Sequence, residues 1–183
     1  METDHKLMAR VSSGDREAFG TIVRGHQERM QRFAWRMLGD RDAASDVVQE
    51  AFVRVWQSRA SYAPTASLSC FLLRVVRNAC IDHIRASKKW DSVRIDDDVP
   101  LNGPSCEALA ESSVLHDAIG QVLLRIPEIQ RVIFVLSEYE GLSYQEIAEV
   151  VGCPYGTVAS RKYAAVEALR TQLRPWINEE KLP

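Results

Sequence analysis

Between Ala44 and Trp56 the apolar residues fall at Ala44, Val47, Val48, Ala51, Phe52, Val55 and Trp56, in alternating steps of three and four. A helix gathers such positions on one side, because 3.6 residues complete its turn. That stripe needs a surface to bury against, and the neighbouring sequence supplies one with the same period. Leu68, Phe71, Leu72, Val75, Val76, Ala79 and His83 predict a helix over about 67–87, after the break at Pro64. Upstream, Phe19, Ile22, Val23, His26, Met30, Phe33 and Met37 predict one further helix or two. Asp42 is the expected cap of the 44–56 helix. No strand-like alternation of four or more residues stands out, so the stripes must bury one another in a bundle. Each large side chain removed from water stabilises by roughly 1.5–3 kcal/mol, enough together to hold a small domain.

The helical pattern stops at residues 91–110, which contain two prolines, a glycine and the run Asp96-Asp97-Asp98. This segment reads as an irregular linker, and helical periodicity resumes after it. The expected fold is all-α: two small helical domains at 1–90 and 112–183, joined by a linker at 91–111. With 46% hydrophobic residues among 183, wholesale disorder is excluded. No apolar run approaches the ~18 residues of a membrane span. Met1 to Arg10 lacks the apolar core of a secretory signal, so a cytoplasmic protein is expected. Cys70, Cys80, Cys106 and Cys153 form no CxxC pair and read as small buried thiols. No nucleophile–base pair, glycine-rich phosphate loop or metal-ligand spacing is evident, so neither an enzyme nor a cofactor or metal is expected.

Charge is unevenly spread. The formal total is −2, but residues 1–90 carry 15 Lys/Arg against 10 Asp/Glu, and residues 91–110 carry one Arg against five acids. From Arg59 to Lys89 there are six basic residues and one acid, Asp82. In this stretch Arg74, Arg77, Ile81, Arg85 and Lys88 lie three or four apart, a basic stripe ending in Lys89-Trp90. Such a stripe suits a nucleic-acid backbone with a base stacked on the aromatic, and equally a solvated helix face. On the 44–56 helix, Asp46, Glu50, Val53 and Gln57 make an outward stripe beside Gln49. It reads either as a solvated acidic face or as a docking surface for a basic partner.

The most specific pattern lies in residues 142–174. Ser143 and Glu146 fit a capping box, with Leu142 and Ile147 placed as its hydrophobic staple. Gly152 ends the helix this starts, and Pro154 is the expected first position of the next, over about 155–173. Ala148 is small where two helices must approach, and Val158 is placed to pack back. Together these match a DNA-binding helix-turn-helix. Thr157, Ser160, Arg161 and Tyr163 would reach base edges, Arg161 pairing with a guanine or a phosphate. Lys162, Arg170 and Arg174 read as phosphate contacts or solvated charges.

From about Asp15 to Leu173 the chain resembles an extracytoplasmic-function (group 4) sigma factor of bacterial RNA polymerase, in the sigma-70 family. Asp42 to Trp56 is similar to region 2.2, and Phe71 to Asn78 with Asp82 to Arg85 to regions 2.3 and 2.4. Ile126 to Arg131 with Gly141 to Ala148 is similar to region 4.1 running into 4.2, and Gly156 to Arg161 to the start of the region 4.2 recognition helix. The resemblance implies a sigma2-like bundle and a sigma4-like helix-turn-helix domain. Asp46, Gln49, Glu50 and Val53 would dock on the clamp helices of core RNA polymerase. The loop from Tyr62 to Ser69, including Ser67, would capture a flipped base of the −10 element as melted single strand, supported by Arg74, Arg77, Asn78, Arg85 and Lys88. Thr157, Ser160, Arg161, Lys162 and Tyr163 would read the −35 element of promoter DNA as duplex. The linker, with Asp96 to Asp98, would thread toward the polymerase cleft. An anti-sigma factor is an implied further partner; membrane insertion of the chain itself is not. Phe71 stands where the family often has Trp, and Ala159, Ala164 and Val166 where basic residues are common. A dimeric helix-turn-helix regulator is the alternative, but it leaves the 42–90 helices without a role.

Overall fold

Aspartates start two long helices of the first block. Asp15 accepts backbone hydrogen bonds from Glu17 and Ala18 and opens α2 (Arg16–Leu38). Asp40, not Asp42, opens α3 (Arg41–Gln57), accepting from the amides of Asp42 and Ala43. Asp42 instead lies in the first turn, where its charge favours the positive helix end. A short helix, α1 (Asp4–Ser12), precedes them. Its buried Leu7, Met8 and Val11 sit inside a segment whose polar residues hid their spacing. After a 3₁₀ turn at Arg59–Ser61 comes α4 (Leu68–Asp91), longer than the predicted 67–87. Ser67 Oγ accepts from the Cys70 amide at 3.2 Å and caps it. The second block holds α5, described over 119–125, then α6 (Glu128–Glu138), α7 (Tyr144–Val151) and α8 (Tyr155–Ile177). The computed structural model describes residues 4–62, 67–91 and 119–177. The predicted linker from residue 92, with Asp96 to Asp98 and Cys106, and the loop residues 63–66 lie outside them. Every regular element among the described residues is helical, and no helix among them is long and apolar enough to cross a membrane.

In the first block α2 packs on α1, α3 and α4. Met30, Phe33, Ala34 and Met37 of α2 and Leu73 of α4 are fully buried at its centre. Two predicted positions differ. Ile81 is buried, so it interrupts the basic stripe instead of belonging to it. His83, predicted inside, is exposed. Ile81 belongs to the core shared by the two blocks, and His83 lies outside it.

In the second block α8 packs on α6 and α7, with Val158 and Ala165 completely covered. The two blocks then pack on each other, α4 against α7 and α2 against α6. Val132, Ile133, Leu136, Ile147 and Val150 thereby join one continuous apolar core with the first block. Gly39 ends α2 at φ 76°, a left-handed conformation that glycine adopts without strain. A Cβ there would collide with the Leu124 side chain of the second block, so the missing side chain also permits the approach.

Candidate docking and nucleic-acid interfaces

Helix α3 buries Ala44, Val47, Val48, Ala51 and Phe52, which turns Asp46, Gln49, Glu50 and Val53 outward together. All four are exposed, Val53 at 52%. An isolated exposed valine is ordinary, but this one sits among a carboxylate pair and a carboxamide on a rigid helix. Glu50 bonds Arg54 Nη2 at 2.7 Å, one turn along, and Arg54 also reaches Asp82 of α4 at 3.5 Å. These acids hold the Arg54 guanidinium above its usual range, Glu50 contributing most. The face is therefore acidic, with its one flanking arginine already neutralised.

The second candidate face surrounds the start of α4. Tyr62 and Phe71 rings meet edge to face at 4.9 Å, closing the ends of the loop between them. Burial raises the Tyr62 hydroxyl pKa, with a smaller push from Asp4. Ser67, Asn78 and Arg85 are exposed. Ser67 also caps α4, so its hydroxyl is held at the loop's edge. Lys88 is exposed yet paired with Glu128 of the second block at 3.2 Å. Arg74 and Arg77 are only half-accessible, and Nε of each is buried without a hydrogen-bond partner among the described residues. Arg77 Nη2 donates instead to the carbonyls of Val150 and Val151, at 3.0 and 3.3 Å. The predicted basic stripe is thus split: Arg85 faces water, Arg74 is half-buried, and Arg77 is tied to the second block. Sequence spacing alone carries no trace of that tie. The Trp90 side chain lies outside the described residues.

The third face is built as the spacing predicts. Ser143 Oγ accepts from the Glu146 amide while Glu146 Oε2 accepts from the Ser143 amide, a complete capping box. The Ser143 hydroxyl, which also donates to Glu146 Oε2 at 2.7 Å, and then the Ser143 amide hold the Glu146 carboxyl below its usual range. Leu142 and Ile147 join the same core, as a staple requires. Gly152 ends α7 at φ 73°. Pro154 precedes α8 rather than beginning it, and its carbonyl accepts from Thr157 and Val158. Burying Val158 and Ala165 turns Ser160 and Tyr163 to solvent, Tyr163 at 70% exposure. Thr157 and Arg161 lie at the edge of that surface, half-buried, and Arg161 has no ion pair among the described residues. Lys162 differs from its predicted neighbours. Its ammonium bonds Glu138 at 2.7 Å and Ser137 Oγ at 2.6 Å and lies over the Tyr144 ring. Half-buried, it fastens α8 to α6 and is committed to that pair. Sequence reasoning passed over Tyr155, 59% exposed at the start of α8 and packed on Tyr144 at 5.7 Å. Its position directly after Pro154 was the available signal.

Comparisons with known proteins agree with this geometry. Residues 22–90 match the family model Sigma-70 region 2, and residues 116–169 match Sigma-70, region 4. The chain is 33% identical over 188 residues to the RNA polymerase sigma-H factor of Pseudomonas aeruginosa, covering 97% of each. It is 32% identical over 179 residues to the ECF RNA polymerase sigma factor SigW of Bacillus subtilis, covering 92% of this chain and 96% of the relative. Against the ECF RNA polymerase sigma-E factor of Escherichia coli it is 32% identical over 185 residues, covering 96% of each. In fold it is similar to CnrH, solved in complex with the cytosolic domain of CnrY, with a TM-score of 0.70, 23% identity, and 95% of this chain and 99% of that chain covered. RpoE of Bartonella quintana, solved with the anti-sigma factor NepR, gives a TM-score of 0.68 at 22% identity, covering 85% and 96%. The two family models match in chain order, and the relatives are matched over nearly their whole length, so the chain belongs to the sigma-70 family as an extracytoplasmic-function RNA polymerase sigma factor.

Proposed function

We propose that this alternative sigma factor, which directs promoter-specific initiation by RNA polymerase, divides its work among the three faces. Asp46, Gln49, Glu50 and Val53 dock on the polymerase clamp helices. Tyr62, Ser67, Asn78, Arg85 and Lys88, with Arg74 and with Arg77 once it leaves the Val150 and Val151 carbonyls, hold the −10 element as melted single strand. Thr157, Ser160, Arg161 and Tyr163 read the −35 element as duplex. Lys162 supports that surface by fixing α8. The chain itself catalyses nothing; polymerase supplies the chemistry, and the whole assembly works in the cytoplasm.

One observation carries this reading: the two nucleic-acid faces differ in chemistry and sit on different blocks. A rigid helix end with exposed Ser160 and Tyr163 fits a major groove. Arginines beside a loop closed by an aromatic pair fit an opened strand and a flipped base. Neither face is large. Tethering both to polymerase raises the effective concentration of the second contact, so two modest readings become one selective one. The proposed unit boundaries are 1–90 and 112–183, with the segment between threading toward the polymerase cleft. RpoE of Bartonella quintana is solved with the anti-sigma factor NepR, and an anti-sigma factor masking the same faces is proposed here too.

The test is assembly with bacterial core RNA polymerase, then transcription from a promoter library. Stable assembly and selective initiation are expected, with enriched sequences at two separated elements. Failure to assemble, with tight palindromic DNA binding by the chain alone, would establish the dimeric regulator instead.

A further inference from the structure

The outward side of α8 carries little positive charge where the helix begins. Val158, Ala165 and Leu169 are buried on one side, with Lys162 half-buried between them. At 3.6 residues per turn this puts Gly156, Ser160 and Tyr163 on the opposite side, with Thr157, Ala159 and Ala164 at its edges. That surface offers hydroxyls, methyl groups and one aromatic ring. The cations of α8 are elsewhere or already used. Lys162 is held by Glu138 and Ser137 of α6, and Arg170 by Glu167 at 2.7 Å. Arg161 and Arg174 have no ion pair among the described residues, but Arg174 lies about 20 Å further along the axis, beyond the turns that reach base edges. Only Arg161 is left near the helix start to neutralise a phosphate.

Gly156 is a second, independent sign of what approaches. It is exposed in the first turn of α8, and its φ is not in the left-handed region. A Cβ there would meet nothing inside the protein. Glycine weakens a helix relative to alanine, so the folded chain gains nothing by it at this point. A body arriving from outside, close to the backbone, does make use of the missing side chain. In a major groove, guanine is read by Arg or Lys, whereas the thymine methyl is met by apolar groups such as a Thr methyl or an aromatic ring.

We infer that α8 reads its duplex chiefly by apolar contact with thymine methyl groups, through the Tyr163 ring and the Thr157 methyl, with Gly156 at the closest backbone approach and Arg161 as the one charged contact. This rests on the reading of α8 as the −35 helix. The −35 element it selects is then rich in thymines facing this surface. Apolar contacts release no counterions, so its preference for that element depends little on salt. Exposed Tyr155, packed on Tyr144, offers a neutral hydroxyl to a phosphate and adds nothing to the salt dependence.

The experiment uses the full chain assembled with core polymerase. A −35 element is selected from promoters randomised there, and its thymines are then replaced singly by deoxyuridine, which lacks only the methyl. Losing a buried methyl should weaken binding in competition about fourfold. Tyr163→Ala or Thr157→Ser should abolish that penalty at the thymine the side chain touches. Gly156→Ala should weaken binding without lowering Tm, because alanine is the better helix former. For a fourfold rise in salt, the preference for the selected over a scrambled element should fall by at most about 3.5-fold, the effect of one arginine. Deoxyuridine tolerated within about twofold at every thymine overturns the inference, as does a selected element without thymine. So does a penalty that survives Tyr163→Ala/Thr157→Ser, or a salt-driven fall of about tenfold, which needs about two cations. Unchanged binding by Gly156→Ala overturns the close approach. The two readings separate at the selection. If no sequence is enriched at −35, the −35 reading of α8 fails and the inference with it. If one is enriched and deoxyuridine is silent, only the methyl contact fails.

Discussion

Reversing the charge of Glu50 separates docking from folding, because the structure makes the folding cost calculable. The Glu50 side chain is 58% exposed, and its one close partner is Arg54 at i+4. An exposed pair of this kind stabilises by about 0.3–0.5 kcal/mol, and a like-charge pair in its place destabilises by a similar amount. Arg54 keeps Asp82 as a second partner, which limits the repulsion. Glu50→Lys should therefore cost at most about 1 kcal/mol, against the ~5–15 kcal/mol typical of a folded domain. For a chain of this size that lowers Tm by about 2–4 °C. Docking is affected on another scale. Breaking a hydrogen-bonded charge pair at an interface costs about 2–5 kcal/mol, or roughly 30-fold to several thousand-fold in Kd. The assay is titration of labelled protein with core polymerase, beside a thermal melt by circular dichroism. Glu167→Lys, which reverses a comparable exposed pair with Arg170 on α8, controls for net charge. A normal melt with core affinity changed less than about threefold would refute the docking assignment of α3. A collapsed melt would refute the claim that Glu50 is structurally dispensable.

Three further outcomes are expected. Arg161→Ala should weaken −35 duplex binding by the holoenzyme by about 1–3 kcal/mol if Arg161 reads a base; equal loss on a scrambled −35 sequence, measured in competition, would assign it to a phosphate. Ser143→Ala removes half of the capping box and should cost about 1 kcal/mol in urea unfolding, with Glu146→Ala no worse than additive if the two bonds are independent. Stability should fall as pH drops below the usual glutamate value of 4.5. Glu128 is held lower by a backbone hydrogen bond and Lys88, Glu138 by Lys162, and Glu146 by Ser143. Depressed carboxyl pKa values contribute fully above 4.5 and lose that contribution as the pH passes down through the folded values. Urea midpoints from pH 5.5 to 3 should therefore decline, and Glu138→Gln should flatten the slope; an unchanged slope would count against the Lys162 pair.

Short-range chemistry was legible in the sequence. The stripe from Ala44 to Trp56 specified a helix and which of its sides is wet, so Asp46, Gln49, Glu50 and Val53 could be placed together before any coordinates. The capping box, Gly152 and Val158 likewise specified the turn and the exposed edge of α8. These features depend on residues within a few turns of each other, where spacing is geometry. Cap identity was misplaced: Asp42 was the expected cap, and the backbone gives that role to Asp40, whose carboxylate the Asp42 and Ala43 amides face. What the two blocks do to each other depended on the tertiary structure alone. That Arg77 caps α7, Arg131 caps α2, Lys162 serves Glu138, and Leu124 lies over Gly39 are contacts between residues 24 to 94 positions apart. A basic residue on a helix face has the same local signature whether it meets water, phosphate or a carbonyl, and only packing at a distance decides among them.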